Sequence, residues 1–377
     1  MRRYDCIVAG TGAVGSAALY HLARRGLRVL GIDRFAPPHA RGSSHGRTRI
    51  IRLAYFEHPD YVPLLRRAYV LWRDLEAETG ERLFVRAGLL EVGPPNGVVV
   101  PGVLESARRH GLEVERLEPE DLAADLPAVR VPPGFVALYE PEAGYLRVEA
   151  GVRAHLERAR ALGAETCFGE AIASWTARGG EVVVQTARSA FAARRLIIAA
   201  GPWAATLLPE LSRHLRVVRK ASFWFAADDP ALEATRCPCF FYELPQGQFY
   251  GVPAIDADGI KVAEHTGGRP VADPLEVDRA IDPSELERVQ RFVAAHLSVV
   301  SPRLTHHEVC LYTRSEDEHF IVDRHPLHPQ VVFAAGLSGH GYKFAPALGE
   351  ALADLAEGIP SRASLSGFSL RRLRAEG

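Results

Sequence analysis

Three glycines near the amino terminus have the spacing of a phosphate-binding turn. Gly10, Gly12 and Gly15 form the pattern G-x-G-x-x-G between the apolar run YDCIVA and the helical pattern SAALYHLARRG. In such a turn the backbone approaches a pyrophosphate closely, and the anion rests on free N–H groups at the start of the helix. Asp33 ends the next apolar run, 18 residues after Gly15, where an acid accepts a hydrogen bond from a ribose hydroxyl. This order of elements predicts dinucleotide binding.

The motif alone leaves two alternatives open. A glycine-rich turn also occurs in α/β domains that bind no nucleotide. Arg34, which follows Asp33 directly, does not distinguish an NAD site from an FAD site.

The lysines are the second feature that could carry chemistry. The chain has only three of them, Lys220, Lys261 and Lys343, because almost all of its basic residues are arginine. A lysine in such a chain is a candidate for a position that needs a compact amine whose pKa shifts readily.

The rest of the chain predicts a mixed α/β protein. A long loop that carries Arg41, Arg47, Arg49 and Arg52 follows Asp33. Helical patterns occur over residues 98–115, Arg147 to Leu162 and residues 283–298. Residues 215–265 alternate strand-like runs, which predicts a separate antiparallel sheet. The last strand pattern, PQVVFAAG, leads through a glycine-rich turn into a long helix. The nucleotide-binding domain is therefore expected to receive segments from the start, the middle and the end of the chain.

Composition excludes several functional classes. A net charge of −1 gives no indication of a nucleic-acid or membrane partner, and no apolar run reaches the roughly 18 residues that span a bilayer. The five cysteines lack a disulfide framework, so we expect a cytoplasmic protein. Cys237 and Cys239 are separated by one residue rather than two, which predicts a structural role, and we expect no metal site.

In its ordered set of motifs the chain resembles the monomeric sarcosine oxidase and N-methyltryptophan oxidase group of the D-amino-acid-oxidase-type flavoproteins. The motifs, which run through nearly the whole chain, are GTGAVGS, PPHARGSSHGRTRIIRLAY, FYGVP, GIKVAEHTGG, CLYT, DEHFIVDRHP and AAGLSGHGYKF. The resemblance implies a Rossmann-like FAD-binding domain (1–84, 147–215 and 316–377) interleaved with an antiparallel-sheet substrate domain (85–146 and 216–315). It also implies a monomer.

The resemblance implies the cofactor site. FAD would be attached covalently through the sulfur of Cys310, which stands in the motif VCLYT. The other implied cofactor-binding residues are Gly10, Gly12, Ala13, Val14, Gly15, Asp33, Arg34, Ser44, His45, Thr48, Arg49, Gly201, Trp203, Gly336, Gly339, Gly341, Tyr342 and Lys343.

The resemblance likewise implies the catalytic residues. Lys261 would lie over the flavin ring and stabilise the superoxide that forms when oxygen takes an electron, while His265, Arg49 and Tyr250 would complete the catalytic group. Arg52 and Lys343 would bind the substrate carboxylate, with His340 and Tyr312 beside them. Such a site would be strongly cationic and would lower the pKa of the substrate amine. Arg47 departs from the family, which has an acidic residue there, so its effect on substrate entry is open.

The function that follows is FAD-dependent oxidation of secondary amines of N-alkyl amino acids by molecular oxygen. Sarcosine would yield glycine, formaldehyde and hydrogen peroxide. N-methyl-L-tryptophan, pipecolate and glycated amino acids are alternative substrates. A flavin dehydrogenase with another electron acceptor is a second alternative, which Lys261 argues against. A non-catalytic or tRNA-modifying flavoprotein is a third, which the near-neutral charge argues against.

Overall fold

The computed structural model describes residues 1–118, 122, 124, 126–298, 300–362 and 364–374. Its strands are β1 Arg2–Ala9, β2 Val29–Asp33, β3 Thr48–Ile51, β4 Phe84–Val85, β5 Leu89–Gly93, β6 Glu115–Leu117, β7 Val136–Glu140, β8 Gly144–Arg147, β9 Glu165–Phe168, β10 Ile172–Arg178, β11 Glu181–Thr186, β12 Ala190–Ile198, β13 Leu215–Phe225, β14 Cys239–Leu244, β15 Gly247–Val252, β16 Ile260–Glu264, β17 Arg269–Pro270, β18 Leu304–Ser315, β19 Ile321–Arg324 and β20 Val331–Ala335.

The α-helices lie between groups of these strands. They are α1 Ala13–Arg24, α2 Val62–Thr79, α3 Val99–His110, α4 Val148–Ala161, α5 Ala204–Leu207, α6 Pro283–His296 and α7 Ala345–Glu357. Short 3-10 helices cover Pro59–Tyr61, Gly201–Trp203, Pro209–Leu211, Pro230–Leu232, Tyr342–Phe344, Ser366–Phe368 and Leu370–Arg374.

The first sheet is the predicted parallel one. Strands β20, β12, β1, β2 and β9 run parallel in that order, β19 adds an antiparallel edge, and the β10–β11 hairpin pairs with the first half of β12. All five residues of β2 are buried, as expected for a parallel strand covered on both faces. Helices α1, α4 and α7 pack together on one face, where apolar residues of all three share a core with those of the sheet.

The second sheet is large and mostly antiparallel, with the order β17-β13-β16-β15-β14-β5-β7-β6 and β18 paired with β13. Helix α6 covers one of its faces and begins at Asp282, whose carboxylate accepts a hydrogen bond of 2.9 Å from Ser284 N. A third, three-stranded sheet has the order β3-β8-β4.

The mixed α/β class with several sheets is confirmed. Two local predictions were wrong. The long loop after Asp33 contains strand β3, which forms because Thr48–Ile51 pair with β8, nearly a hundred residues later in the chain. The helix expected over 98–115 ends at His110, where Gly111 takes a left-handed conformation with φ of 59° and the chain turns into β6. The division of the chain into two interleaved domains at the stated boundaries stays a proposal.

Among the described residues, no helix has both the length and the apolar character needed to cross a bilayer.

Candidate active site

A deep cavity lies where the glycine turn meets the carboxyl ends of the parallel strands. Its volume, including the open mouth, is about 1380 Å³. Gly10 has a φ of 83°, and a Cβ there would lie 2.6 Å from Ala199 O. A Cβ on Gly15 would lie 1.8 Å from Gly10 O. No other residue therefore fits at these two positions, and the start of α1 is held open towards the cavity.

Asp33 both fixes this turn and faces the cavity. Its Oδ2 accepts hydrogen bonds from Thr11 N at 2.6 Å and Thr11 Oγ1 at 3.1 Å, while Oδ1 accepts from Phe35 N at 3.1 Å. The guanidinium of Arg34 lies 5.6 Å from the ring of Trp203. The buried Nε1 of Trp203 has no hydrogen-bond partner within the described part of the chain, so this donor is available to a ligand.

Most of the predicted cofactor-binding residues line this cavity. They are Gly10, Gly12, Ala13, Val14, Asp33, Arg34, Ser44, Arg49, Gly201, Trp203, Gly336, Gly339, Gly341 and Tyr342. Four others are buried but do not line the cavity: Gly15, His45, Thr48 and Cys310. The remaining one, Lys343, lines a neighbouring smaller cavity.

Cys310, on β18, is buried beside Arg49. Its Sγ lies 3.3 Å from Arg49 Nη2 and 3.5 Å from Ser43 O. Burial opposes ionisation, but the charges of Arg49 and His45 outweigh it and lower the pKa of the thiol to about 6. At neutral pH this cysteine is therefore mostly a thiolate, the nucleophilic form.

Lys261, on β16, lines neither cavity directly. Its Nζ donates hydrogen bonds to Gly46 O at 2.7 Å and Thr48 O at 3.1 Å, and so connects β16 to the start of β3, the strand that carries Arg49. Burial and the nearby Arg49 charge lower the pKa of Lys261 to about 7.

The smaller cavity brings together the residues predicted to bind substrate. Its volume is about 470 Å³, and it is lined by Arg49, Ile50, Arg52, Glu57, Phe241, Tyr250, His265, Tyr312, Gly339, His340, Tyr342 and Lys343. Arg52 and Lys343 lie 291 residues apart in the sequence and meet here. Burial and the charge of Arg52 lower the pKa of Lys343 to about 7, and its Nζ donates to His340 O at 2.9 Å. The two cavities share Arg49, Tyr312, Gly339 and Tyr342 and are therefore adjacent.

The histidines of the smaller cavity are neutral at physiological pH. Burial lowers the pKa of His340 to about 4, and it lowers the pKa of His265 well below its usual value. His340 Nδ1 lies 2.6 Å from Tyr55 Oη, and His265 Nδ1 lies 3.4 Å from Tyr312 Oη. These pairs orient the two imidazole rings that line the smaller cavity.

Buried carboxylates are the residues that sequence reasoning missed. Arg52 Nη2 donates to Glu57 Oε2 at 2.6 Å, and Arg52 Nε lies 3.4 Å from Glu91 Oε1. Arg49, Arg52 and Lys343 bring positive charge to this cavity as expected, but the carboxylate of Glu57 faces the Arg52 guanidinium and offsets part of that charge. Arg52 also lies 4.6 Å from the ring of Tyr55 and 4.5 Å from that of Phe56, which hold it in place.

Glu91 makes stability depend on pH. Burial raises its pKa to about 8, although Arg52 acts in the opposite direction. The folded protein therefore keeps a proton that the unfolded chain releases above about pH 5, and the free energy of unfolding falls as the pH rises towards 8. We expect Glu91→Gln to abolish this loss of stability. At pH 8.5 the Tm of the variant should therefore exceed that of the parent, by roughly 2–4 °C for each kcal/mol of unfolding free energy that the parent has lost. Thermal unfolding between pH 5.5 and 8.5 measures the difference. Glu115→Gln, at an exposed position, is the control. A parallel pH dependence in both variants would contradict the assignment.

Arg47 points away from both cavities. Its side chain makes ion pairs with Asp256, at 2.9 Å, and with Asp258, both in the loop between β15 and β16. Its guanidinium lies 5.2 Å from the ring of Trp224, and Lys261 Nζ lies at the same distance from that ring. Arg47 therefore links the residue before β3 to the loop between β15 and β16, and because it lines neither cavity, its departure from the family pattern changes no lining residue.

The shape of the site agrees with comparisons to known proteins. A family model described as FAD dependent oxidoreductase matches residues 5–355. The chain belongs to this family. It is 39% identical to the N-methyl-L-tryptophan oxidase of Salmonella dublin over 372 residues, which cover 98% of this chain and 99% of the relative. It is also 39% identical to the monomeric sarcosine oxidase of Streptomyces avermitilis over 382 residues, covering 99% and 98% of the two chains. The structure of NikD, an amino acid oxidase, is similar with a TM-score of 0.87 and 24% identity, covering 98% of each chain, which shows a shared fold.

The residues of this family member fit FAD. The glycine turn offers the backbone N–H groups that a pyrophosphate needs, and the long cavity extends from Asp33 to the substrate side at Tyr342. The family settles the choice between NAD and FAD that the sequence motif left open.

Proposed function

We propose that this protein is an oxidase of the secondary amines of N-alkyl amino acids. The observation that carries the proposal is the meeting of Arg52 and Lys343 in a cavity adjacent to the dinucleotide cavity. A guanidinium fork and an ammonium group are suited to hold a carboxylate, and they would place the amine between His265, Tyr250 and Tyr312. The relatives' names support the same class of substrate.

FAD, when bound, supplies the acceptor for the hydride that the substrate loses. The protein's residues then have three tasks: Arg52 and Lys343 orient the carboxylate, the aromatic wall excludes water, and Lys261 provides positive charge for oxygen reduction. The amine loses two electrons and becomes an imine, and water hydrolyses the imine. With sarcosine the products are glycine and formaldehyde, and oxygen becomes hydrogen peroxide.

N-methyl-L-tryptophan is the second candidate substrate, because the chain is equally similar to oxidases named for the two compounds. Phe241 and Ile50 add apolar surface to the cavity and suit a large side chain. The ratio of kcat/KM values for sarcosine, N-methyl-L-tryptophan and pipecolate, measured as peroxide formation, decides among them. Reduction of an artificial acceptor without peroxide would instead identify a dehydrogenase.

We propose further that the flavin is bound covalently through Cys310, whose thiolate is stabilised beside the cavity. After acid precipitation the protein should remain yellow, and Cys310→Ser should release all of its flavin into the supernatant. Cys167→Ser is the matched control, since this cysteine lies on β9, away from Arg49. Complete release of flavin from the parent protein would refute the covalent bond.

We also propose a cytoplasmic monomer. All five cysteines are free thiols, which suits a reducing compartment.

A further inference from the structure

Three side chains connect the buried Cys310 region to the protein surface. His45, which is 2% exposed, places its Nδ1 2.8 Å from Glu308 Oε2. The other carboxylate oxygen of Glu308 lies 3.2 Å from His306 Nε2. The side chain of His306 is 35% exposed and reaches solvent.

The strand β18 explains why these groups are aligned. His306, Glu308 and Cys310 are two residues apart, so their side chains lie on the same face of the strand. His307 lies on the other face, where its Nε2 is 3.2 Å from Arg279 O. One face of the strand therefore carries the exposed imidazole of His306, the carboxylate of Glu308 and the thiol of Cys310 in that order.

The charges around the thiol depend on this carboxylate. Arg49, His45, Lys261 and Arg279 contribute positive charge near Cys310, and Glu308 is the carboxylate that directly contacts His45. Burial alone would keep His45 neutral, but the influence of Cys310 and the 2.8 Å contact with Glu308 raise its pKa to about 9. The charge of His45 in turn holds the pKa of Glu308 near 2. A thiolate, an imidazolium and a carboxylate therefore stabilise one another.

We propose that Glu308 is a positioning residue that keeps His45 protonated beside Cys310, and that His306 completes a proton path from this pair to solvent. The thiol proton moves to His45. From there it exchanges with solvent by way of Glu308 and then His306. This proposal rests on the proposed covalent attachment of the flavin, which is the reaction that the proton path would serve. In the net reaction the Cys310 S–H bond and one C–H bond of the flavin methyl group are broken and a C–S bond forms. The two electrons pass to oxygen, which takes up two protons from solvent to give hydrogen peroxide and so balances the two protons that the thiol and the methyl group release.

The first test uses the full chain produced without flavin. The alkylation rate of Cys310 by iodoacetamide, followed by mass spectrometry of its peptide, should rise with pH about a midpoint near 6 in the parent. In Glu308→Gln the midpoint should rise by about one pH unit or more, because a neutral His45 no longer stabilises the thiolate. His306→Gln and His307→Gln should keep the parent midpoint. An unchanged midpoint in Glu308→Gln overturns the proposal.

The second test adds FAD and follows covalent attachment by flavin that stays with the protein after acid precipitation. At pH 7 we expect attachment to slow about tenfold in Glu308→Gln and to slow also in His306→Gln, whereas His307→Gln should match the parent. Equal rates in the two histidine variants would overturn the proton path. Glu308→Asp keeps the carboxylate and should show the alkylation midpoint of the parent. It is the second variant to measure if Glu308→Gln folds poorly. If the parent never binds flavin covalently, that part of the proposed function fails, while the alkylation midpoints still decide the role of Glu308.

Discussion

Replacing Arg52 with methionine should lower kcat/KM for N-alkyl amino acids by about a hundredfold to a thousandfold. Truncating one partner of a buried charge pair costs about 2–5 kcal/mol, and each 1.4 kcal/mol is a factor of ten. In this protein the loss has two parts. The substrate carboxylate loses its guanidinium partner, and Glu57, whose pKa burial alone would raise but Arg52 lowers to about 2, loses the charge that keeps it ionised.

Steady-state kinetics with a carboxylate-bearing substrate and with its uncharged amide separate these parts. The amide should lose much less activity than the carboxylate substrate in Arg52→Met, because it makes no carboxylate contact and reports only the disturbance at Glu57. Arg66→Met, at a position on α2 whose guanidinium bonds to His110 O at the surface, is the matched control. If Arg52→Met loses activity with both substrates to the same extent, then Arg52 supports the structure rather than the carboxylate.

Replacing Lys261 with methionine should slow the reaction of reduced enzyme with oxygen by up to about a thousandfold. A charge about 4 Å from superoxide contributes up to roughly 4 kcal/mol at an effective dielectric constant of about 20, which corresponds to about three factors of ten in rate. Anaerobic reduction by substrate should change little, because Lys261 does not line the substrate cavity. Stopped-flow measurement of the two half-reactions gives both rates.

The pH dependence of the oxygen reaction follows from the same lysine. Because its pKa is lowered to about 7, Lys261 carries its charge below this pH and loses it above. The rate with oxygen should therefore fall as the pH rises through 7 in the parent and stay flat in Lys261→Met. Lys220→Met provides a comparison at another buried lysine, whose pKa burial lowers to about 8. A parent rate that is independent of pH would show that Lys261 is not the charged group involved.

Local patterns predicted the fold where neighbouring residues determine it. The glycine turn, α1 and β2 follow from short-range spacing, whereas the end of α3 at the left-handed Gly111 was missed because the helical pattern continued beyond it. Strand β3 could not be predicted from Thr48–Ile51 alone, because its pairing partner β8 lies far along the chain.

The same limit applies to the site. Motifs indicated the cations Arg52 and Lys343, since these residue types stand in recognisable runs. Glu57 lies in a loop and Glu91 lies within the apolar strand LLEVG. Neither was predicted as a site residue, because only the fold brings them beside Arg52. The acid in the middle of that strand was the available signal, because a charged residue inside a buried run requires a partner.

All three lysines of the chain are buried, at 6%, 2% and 5% exposure for Lys220, Lys261 and Lys343. Aldehydes condense with free amines far more readily than with guanidinium groups, so formaldehyde released by oxidative demethylation would meet a surface whose long basic side chains are all arginine. The surface of such a protein offers formaldehyde few amines to cross-link, and Lys343, which lines the smaller cavity, is the amine most exposed to a product formed there. The protein would also have to be immobilised or labelled through carboxylates or thiols, because amine-directed reagents would find only the terminal amino group.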